Sequence, residues 1–203
     1  MTNTYNMIDY ISGTIAELFP TLAVIDNHGI GYGLEISLQT YEALQGKQQV
    51  KAYITTCINQ RDATEIMYGF ASKDERELFN LIIGISGIGA SSARMILSAM
   101  TSDEFREAIL SENINRIKSV KGIGLKSAQR LILELKDKII KGEGTSTGLL
   151  ITPDNNSDIE EATSALTMLG FAKPNVNKAV QAIIKKNPGA KVEEIIKAAL
   201  KML

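Results

Sequence analysis

Two short glycine turns, Gly87-Ile88-Gly89 and Gly122-Ile123-Gly124, are the residues of this 203-residue chain whose types and spacing fit a definite chemistry. Each follows an apolar stretch with helical spacing and precedes a stretch that opens with small or polar residues. Paired glycines permit a sharp turn and let an anion approach the backbone with no β-carbon in the way. The aliphatic residue between them, Ile88 or Ile123, is expected to turn inward and pin the hairpin to its own helices. The helix that starts at the turn offers unpaired N–H groups and the positive end of its dipole, which together favour a phosphate. The two turns belong to an internal repeat in which residues 84–97 align with residues 119–132. Lys118, Lys126, Ser127 and Arg130 surround the second turn, with Lys126 and Arg130 four residues apart on one helical face. The first turn has Ser91 where the second has Lys126, so its grip is expected to lean on backbone amides and Arg94. A site of this kind holds phosphate and ignores base identity, which predicts binding that is independent of nucleotide sequence.

Residues for covalent or metal chemistry are not arranged for it. His28, the one histidine, sits in Asn27-His28-Gly29 between two strand-like runs and reads as a hairpin turn, with no Ser, Cys or acid beside it in a catalytic pattern. Cys57, the one cysteine, lies in the apolar run Tyr53 to Ile58 and reads as a buried structural thiol. One histidine and one cysteine leave little from which to build a zinc site. Gly124-Leu125-Lys126-Ser127 is the nearest approach to a nucleotide-binding loop, but no glycine directly precedes the lysine and no strand feeds the turn. Gly29-Ile30-Gly31-Tyr32-Gly33 lacks the dinucleotide spacing and joins strands. The reading is a protein with no catalytic residue, metal or cofactor of its own.

Charge is segregated along the chain. Residues 1–72 carry three basic side chains against seven acidic ones, a balance of −4; residues 73–141 carry twelve against nine, a balance of +3; residues 142–203 carry seven of each. Within the middle part, Arg116 to Lys141 holds eight basic residues opposed only by Glu134 and Asp137, which suits a polyanionic partner.

The elements that must position the turns follow from periodicity. Residues 1–72 show five short strand-like runs, Ile8–Ile15, Thr21–Asp26, Tyr32–Ser37, Val50–Ile58 and Glu65–Phe70, with a short helix at Gln39–Leu44. That pattern predicts a small five-stranded barrel of the oligonucleotide-binding type. From Lys73 the period becomes helical, which makes 73–141 an all-α domain holding both turns. Residues 142–156 are rich in Gly, Ser and Thr and read as a flexible linker. Residues 157–203 read as three short helices, the first capped by Ser157 or Asp158 and stopped at Gly170, the others Pro174–Lys186 and Val192–Met202. Such a unit is small for an enzyme site and fits a docking module. The fold class is therefore α+β and multidomain. No apolar run is long enough to span a bilayer and no basic-then-apolar leader opens the chain, so a cytoplasmic location without membrane contact is expected.

Paired helix-hairpin-helix motifs behind a small barrel resemble the RuvA family of Holliday-junction-binding proteins. The resemblance extends to Met7-Ile8-Asp9-Tyr10-Ile11-Ser12-Gly13, to Tyr68-Gly69-Phe70, and to Glu75-Arg76-Glu77-Leu78-Phe79. It covers nearly the whole chain, and it marks residues 1–6 as an extension ahead of the family's usual start. It implies a homotetramer, or two tetramers enclosing the DNA, that lays the four arms of a junction flat and open, with two hairpins per subunit on the backbone. It implies an acidic pin at the centre of the tetramer, where Asp62 carries over and Ala63 replaces the second acid. It further implies that the ATPase RuvB drives branch migration and docks on the three-helix, UBA-like domain, with Leu166, Leu169, Gly170 and Phe171 as the contact region, and that the resolvase RuvC is a further partner. Two other classes compete. A helix-hairpin-helix glycosylase or nuclease needs a catalytic Lys, Asp or carboxylate cluster that is not apparent after the second hairpin. A general single-strand-binding protein needs a basic, aromatic barrel, whereas this one is acidic and the chain has no Trp.

Overall fold

The structure is a computed structural model and describes residues 8–58, 63–142, 155–187 and 189–203. These residues fall into two compact units, one up to residue 142 and one from residue 155 onward.

The first unit begins with a barrel of five strands: β1 (Tyr10–Phe19), β2 (Leu22–Asn27), β3 (Ile30–Ile36), β4 (Gln49–Ile58) and β5 (Glu65–Phe70). The barrel closes in the order β1-β2-β3-β5-β4, antiparallel except where β3 meets β5. β1 serves two neighbours, with Thr14 paired to both Asp26 of β2 and Gln49 of β4. It runs four residues beyond the expected end at Ile15 because the register shifts between Ile15 and Glu17. A bulge adds a residue and breaks the two-residue alternation on which a strand is recognised, so the outer half of β1 does not read as a strand in sequence. Gly13 is required by proximity, since a Cβ there would lie 2.1 Å from the Asp26 carbonyl oxygen. The β2–β3 hairpin turns through His28 (φ 53°) and Gly29 (φ 89°), both left-handed as a two-residue primed turn demands. His28 is the turn residue expected, while Asn27 remains in β2 and donates from its side chain to the Ser12 carbonyl at 2.7 Å.

Inside the barrel lie Ile11, Ala23, Ile25, Leu34, Ile36, Ala52 and Ile54, with Leu44 from the short helix α1 (Leu38–Leu44). Cys57 faces the other way, half-buried against the helical core, and that partial burial pushes its thiol pKa up.

Five helices follow in the same unit: α2 (Lys73–Ile83), α3 (Ala90–Ala99), α4 (Ser102–Leu110), α5 (Ile114–Lys118) and α6 (Leu125–Ile140). Their core is continuous with the last strand of the barrel. Phe79 of α2 packs its ring 4.9 Å from Phe70 and 5.1 Å from Tyr68, centroid to centroid. Buried Glu75 of α2 accepts hydrogen bonds from the Ser37 hydroxyl and from the Thr40 hydroxyl at 2.7 Å, tying α2 to the start of α1. Burial raises the pKa of that carboxyl, and the hydrogen bonds from Ser37, Thr40 and the Ala71 amide only partly offset the rise.

The second unit contains α7 (Asn155–Met168), α8 (Lys173–Lys186) and α9 (Val192–Ala199) around Ala162, Leu166, Val176, Val180 and Ile195. α7 starts before Ser157 and Asp158, so neither caps it. Asp158 lies in its first turn and pairs with Lys191 at 3.1 Å. Asn155 and Asn156, expected in the linker, are helical; residues 143–154 of that linker lie outside the described residues. Among the described residues, no helix is long and apolar enough to cross a membrane.

Candidate nucleic-acid interface

Both glycine turns adopt the same backbone geometry. Gly87 and Gly122 are left-handed, at φ 85° and 89°, while Gly89 and Gly124 are extended N-caps at φ −88° and −82°. The amides of Ile85 and Ile88 in the first turn bond the carbonyls of Ile82 and Ile85; those of Val120 and Ile123 in the second bond Ile117 and Val120. Ile88 and Ile123 are 6% and 5% exposed and pin the turns to the helical core, as expected.

The two glycines of each turn answer to different needs. The first takes a conformation that costs any residue with a β-carbon about 1–2 kcal/mol. The second takes one that any residue can adopt, and a Cβ at Gly89 or Gly124 meets nothing within 4 Å. Folding therefore does not demand glycine at 89 or 124. A β-carbon there would stand in open space beside the amides that begin α3 and α6.

The helix starts point the same way. α1, α2, α4 and α5 are each capped by a side chain, from Ser37, Ser72, Thr101 and Asn113. α3 and α6 start at glycine with no side-chain cap, and their first helical bonds are donated by Ala93 and Ala128. The amides of the preceding residues remain available to an anion at the positive end of each helix. Of the side chains expected here, Ser91, Lys118 and Lys126 are exposed and Ser127 is half-buried. Lys121, one residue before Gly122, is also exposed, and in the sequence its only signal is its place in the basic run.

Two arginines are placed differently from expectation. Arg94 turns away from the first hairpin toward the barrel, where it lies 3.4 Å from the Glu35 carboxylate and donates to the Thr21 carbonyl at 3.2 Å. The same Glu35 adds to burial in pushing the Tyr68 phenol up to about 12. Gln39 of α1 donates to the Leu97 and Met100 carbonyls, and the Leu38 amide donates to Ser98 Oγ, so the C-terminal half of α3 is tied to α1. Arg130 is half-exposed, but it bonds Glu134 and the Ser86 carbonyl of the other hairpin, each at 2.9 Å. The basic run is also partly neutralised by acids outside it: Arg116 pairs with Glu104 at 3.0 Å and Lys136 with Glu112 at 2.5 Å. The Glu112 carboxyl is lowered by the Lys136 ammonium that donates to it, and Glu104 chiefly by the Thr101 amide. These pairings are invisible in a count along the chain. Lys118, Lys121 and Lys126 make no ion pair among the described residues.

In the second unit the expected contact quartet divides. Leu166 is fully buried in the three-helix core and is withdrawn from any contact surface. It is the residue whose carbonyl accepts from the Phe171 amide, closing α7 over left-handed Gly170 (φ 97°), a helix-ending arrangement that folds Phe171 back onto the core. Leu169 is 62% exposed, and Met168, Leu200 and Met202 add exposed apolar surface that helical spacing did not mark out. Asp62 lies outside the described residues; the neighbouring Ala63 is left-handed at φ 56°.

Comparison with known proteins gives three matches in chain order: the RuvA N terminal domain over residues 7–69, the SAM-like helix-hairpin-helix tandem over 79–137, and the RuvA C-terminal domain over 157–203. Curated relatives named "Holliday junction branch migration complex subunit RuvA" include those of Bacteroides fragilis and Bacteroides thetaiotaomicron, 53% and 51% identical, and that of Porphyromonas gingivalis, 42% identical. Each alignment takes in 97% of this chain and 100% of the relative. The barrel, the duplicated hairpins and the terminal helices are thus matched together and end to end, and the chain belongs to the RuvA family.

Proposed function

We propose that this chain binds four-way DNA junctions by their phosphate backbone, without reading base sequence and without chemistry of its own. The observation that carries the reading is the duplicated, uncapped glycine start of α3 and α6, open to an external anion in a unit whose other helices are all capped by side chains. Lys118, Lys121 and Lys126 supply long-range attraction, and the backbone amides after Gly89 and Gly124 supply the close contacts. Residues 73–141 act as the DNA-binding domain, residues 1–72 as the barrel that organises four subunits around the crossover, and 142–156 as the tether to a docking module at 157–203. In the tetramer this reading entails, Asp62 is assigned the repulsion of phosphates at the crossover. The ATPase is supplied by RuvB, docked on the exposed surface around Leu169, and RuvC acts on the same junction, all in the cytoplasm.

The test is a gel-shift comparison of a four-way junction with a linear duplex of the same sequence content, at moderate salt and with excess competitor duplex. The reading expects retention of the junction complex under conditions that strip the duplex. Equal binding to both, or preference for single strands, would replace it with general helix-hairpin-helix DNA binding.

A further inference from the structure

The two hairpins are joined, and the joint is asymmetric. Arg130 lies in the second turn of α6, the helix that opens at Gly124. Its Nη1 donates at 2.9 Å to the Ser86 carbonyl, one residue before the left-handed Gly87 of the other hairpin. Its Nε donates at 2.9 Å to Glu134 one helical turn further on, which holds the guanidinium from behind. A Cβ built on Gly87 would sit 3.8 Å from Nη1, so the guanidinium lies in contact with the turn itself. The repeat breaks at this position: the residue of the first copy equivalent to Arg130 is Met95, an apolar side chain that cannot donate a hydrogen bond to the second hairpin. The anchorage of α3 differs too, because Arg94 is bonded to the Thr21 carbonyl of the barrel, and Ser98 and the Leu97 carbonyl are bonded to α1.

We propose that Arg130 is a positioning residue which sets the first hairpin in register with the second, so that the two sets of amides meet DNA at a fixed separation. The inference rests on the phosphate-binding reading of the hairpins. A guanidinium suits the task because its planar fork offers two donors in fixed relation, one spent on Glu134 and one on Ser86. An ammonium at the same place has the charge but not the fork. The role differs from direct phosphate contact, for which charge is what counts.

The test compares wild type with Arg130→Lys and Arg130→Gln in the full chain, first by amide hydrogen exchange without DNA and then by phosphate-ethylation interference on a four-way junction. Without DNA, both variants are expected to exchange about tenfold faster at residues 86–89, with no change at 121–124, because one charge-assisted bond to the loop is lost in each. On the junction, both should lose the interference signal of the first hairpin, including Arg130→Lys, which retains the charge. Wild-type exchange at 86–89 in either variant, an equal rise at both hairpins, or full rescue by lysine would overturn the proposal. The exchange measurement needs no DNA, so it separates a failure of the strap from a failure of phosphate binding.

Discussion

At the scale of the residue, glycine is used in this chain for two unrelated reasons within three positions. Gly87 and Gly122 satisfy the backbone; Gly89 and Gly124 have a φ open to any residue and empty space where a Cβ would stand, which the proposed phosphate contact would use. The two uses respond differently to the same substitution. Gly87→Ala and Gly122→Ala should each cost about 1–2 kcal/mol in urea unfolding, from the left-handed φ alone. Gly89→Ala and Gly124→Ala should leave stability within about 1 kcal/mol, because alanine is a poorer N-cap than glycine but also restrains the unfolded chain. Their effect should instead appear in the gel shift, as a loss of about tenfold or more in junction affinity, since a β-carbon displaces phosphate from the amides. If the second-glycine variants unfold readily while binding normally, the open face of the turn has no ligand. The glycine pairs were legible in the sequence from their spacing. Which of the two faces outward was not, because the distinction lies in φ and in empty space.

At the scale of the element, the helices of the first unit are connected by a few buried polar contacts as well as by packing. Glu75 illustrates the first kind. Its carboxyl pKa is raised by burial, so the folded state holds the proton more tightly than the unfolded state does. The sign follows from linkage: the native protein binds more protons above the ordinary carboxyl range, and stability falls as pH rises from that range through the folded value. Glu75→Gln keeps an acceptor for Ser37 or Thr40 and cannot ionise. Urea unfolding from about pH 4 to about pH 8 should therefore show a flatter profile for the variant than for wild type, the two differing most at the alkaline end. An unchanged slope would mean that the carboxyl is already relaxed into solvent. Arg94 is the other instructive contact. Its type and position beside the first hairpin suited phosphate, yet the closed barrel places Glu35 and the Thr21 carbonyl within its reach. That competition arises between residues 59 and 73 positions apart, beyond any local pattern.

At the scale of the whole molecule, three hydrophobic cores form among the described residues: one inside the barrel, a large one shared by β5 and α2 to α6, and a small one within α7 to α9. Damage to the small core should stay within it. Leu166→Ala removes a fully buried side chain and should cost the terminal unit about 2–5 kcal/mol, enough to unfold a module of this size. Junction affinity should be unchanged and retention of the RuvB ATPase lost. Leu169→Ala should lose retention of the ATPase while leaving circular dichroism and unfolding intact, because its side chain is exposed. Loss of junction binding in Leu166→Ala would show that the two units depend on each other.

Composition, charge segregation and the duplicated turn determined the architecture by themselves: a barrel, a helical pair of hairpins and a terminal helical unit. These features are local, carried by strand alternation, helical period and glycine spacing, and tertiary structure has little power to alter them. Tertiary structure alone decided the bulge that lengthens β1, the withdrawal of Leu166 into a core, the turning of Arg94 to the barrel, and the bond of Arg130 to the other hairpin. Each depends on which distant group the fold brings within about 3 Å of a donor or within van der Waals contact, and neither distance is encoded in the residues adjacent along the chain.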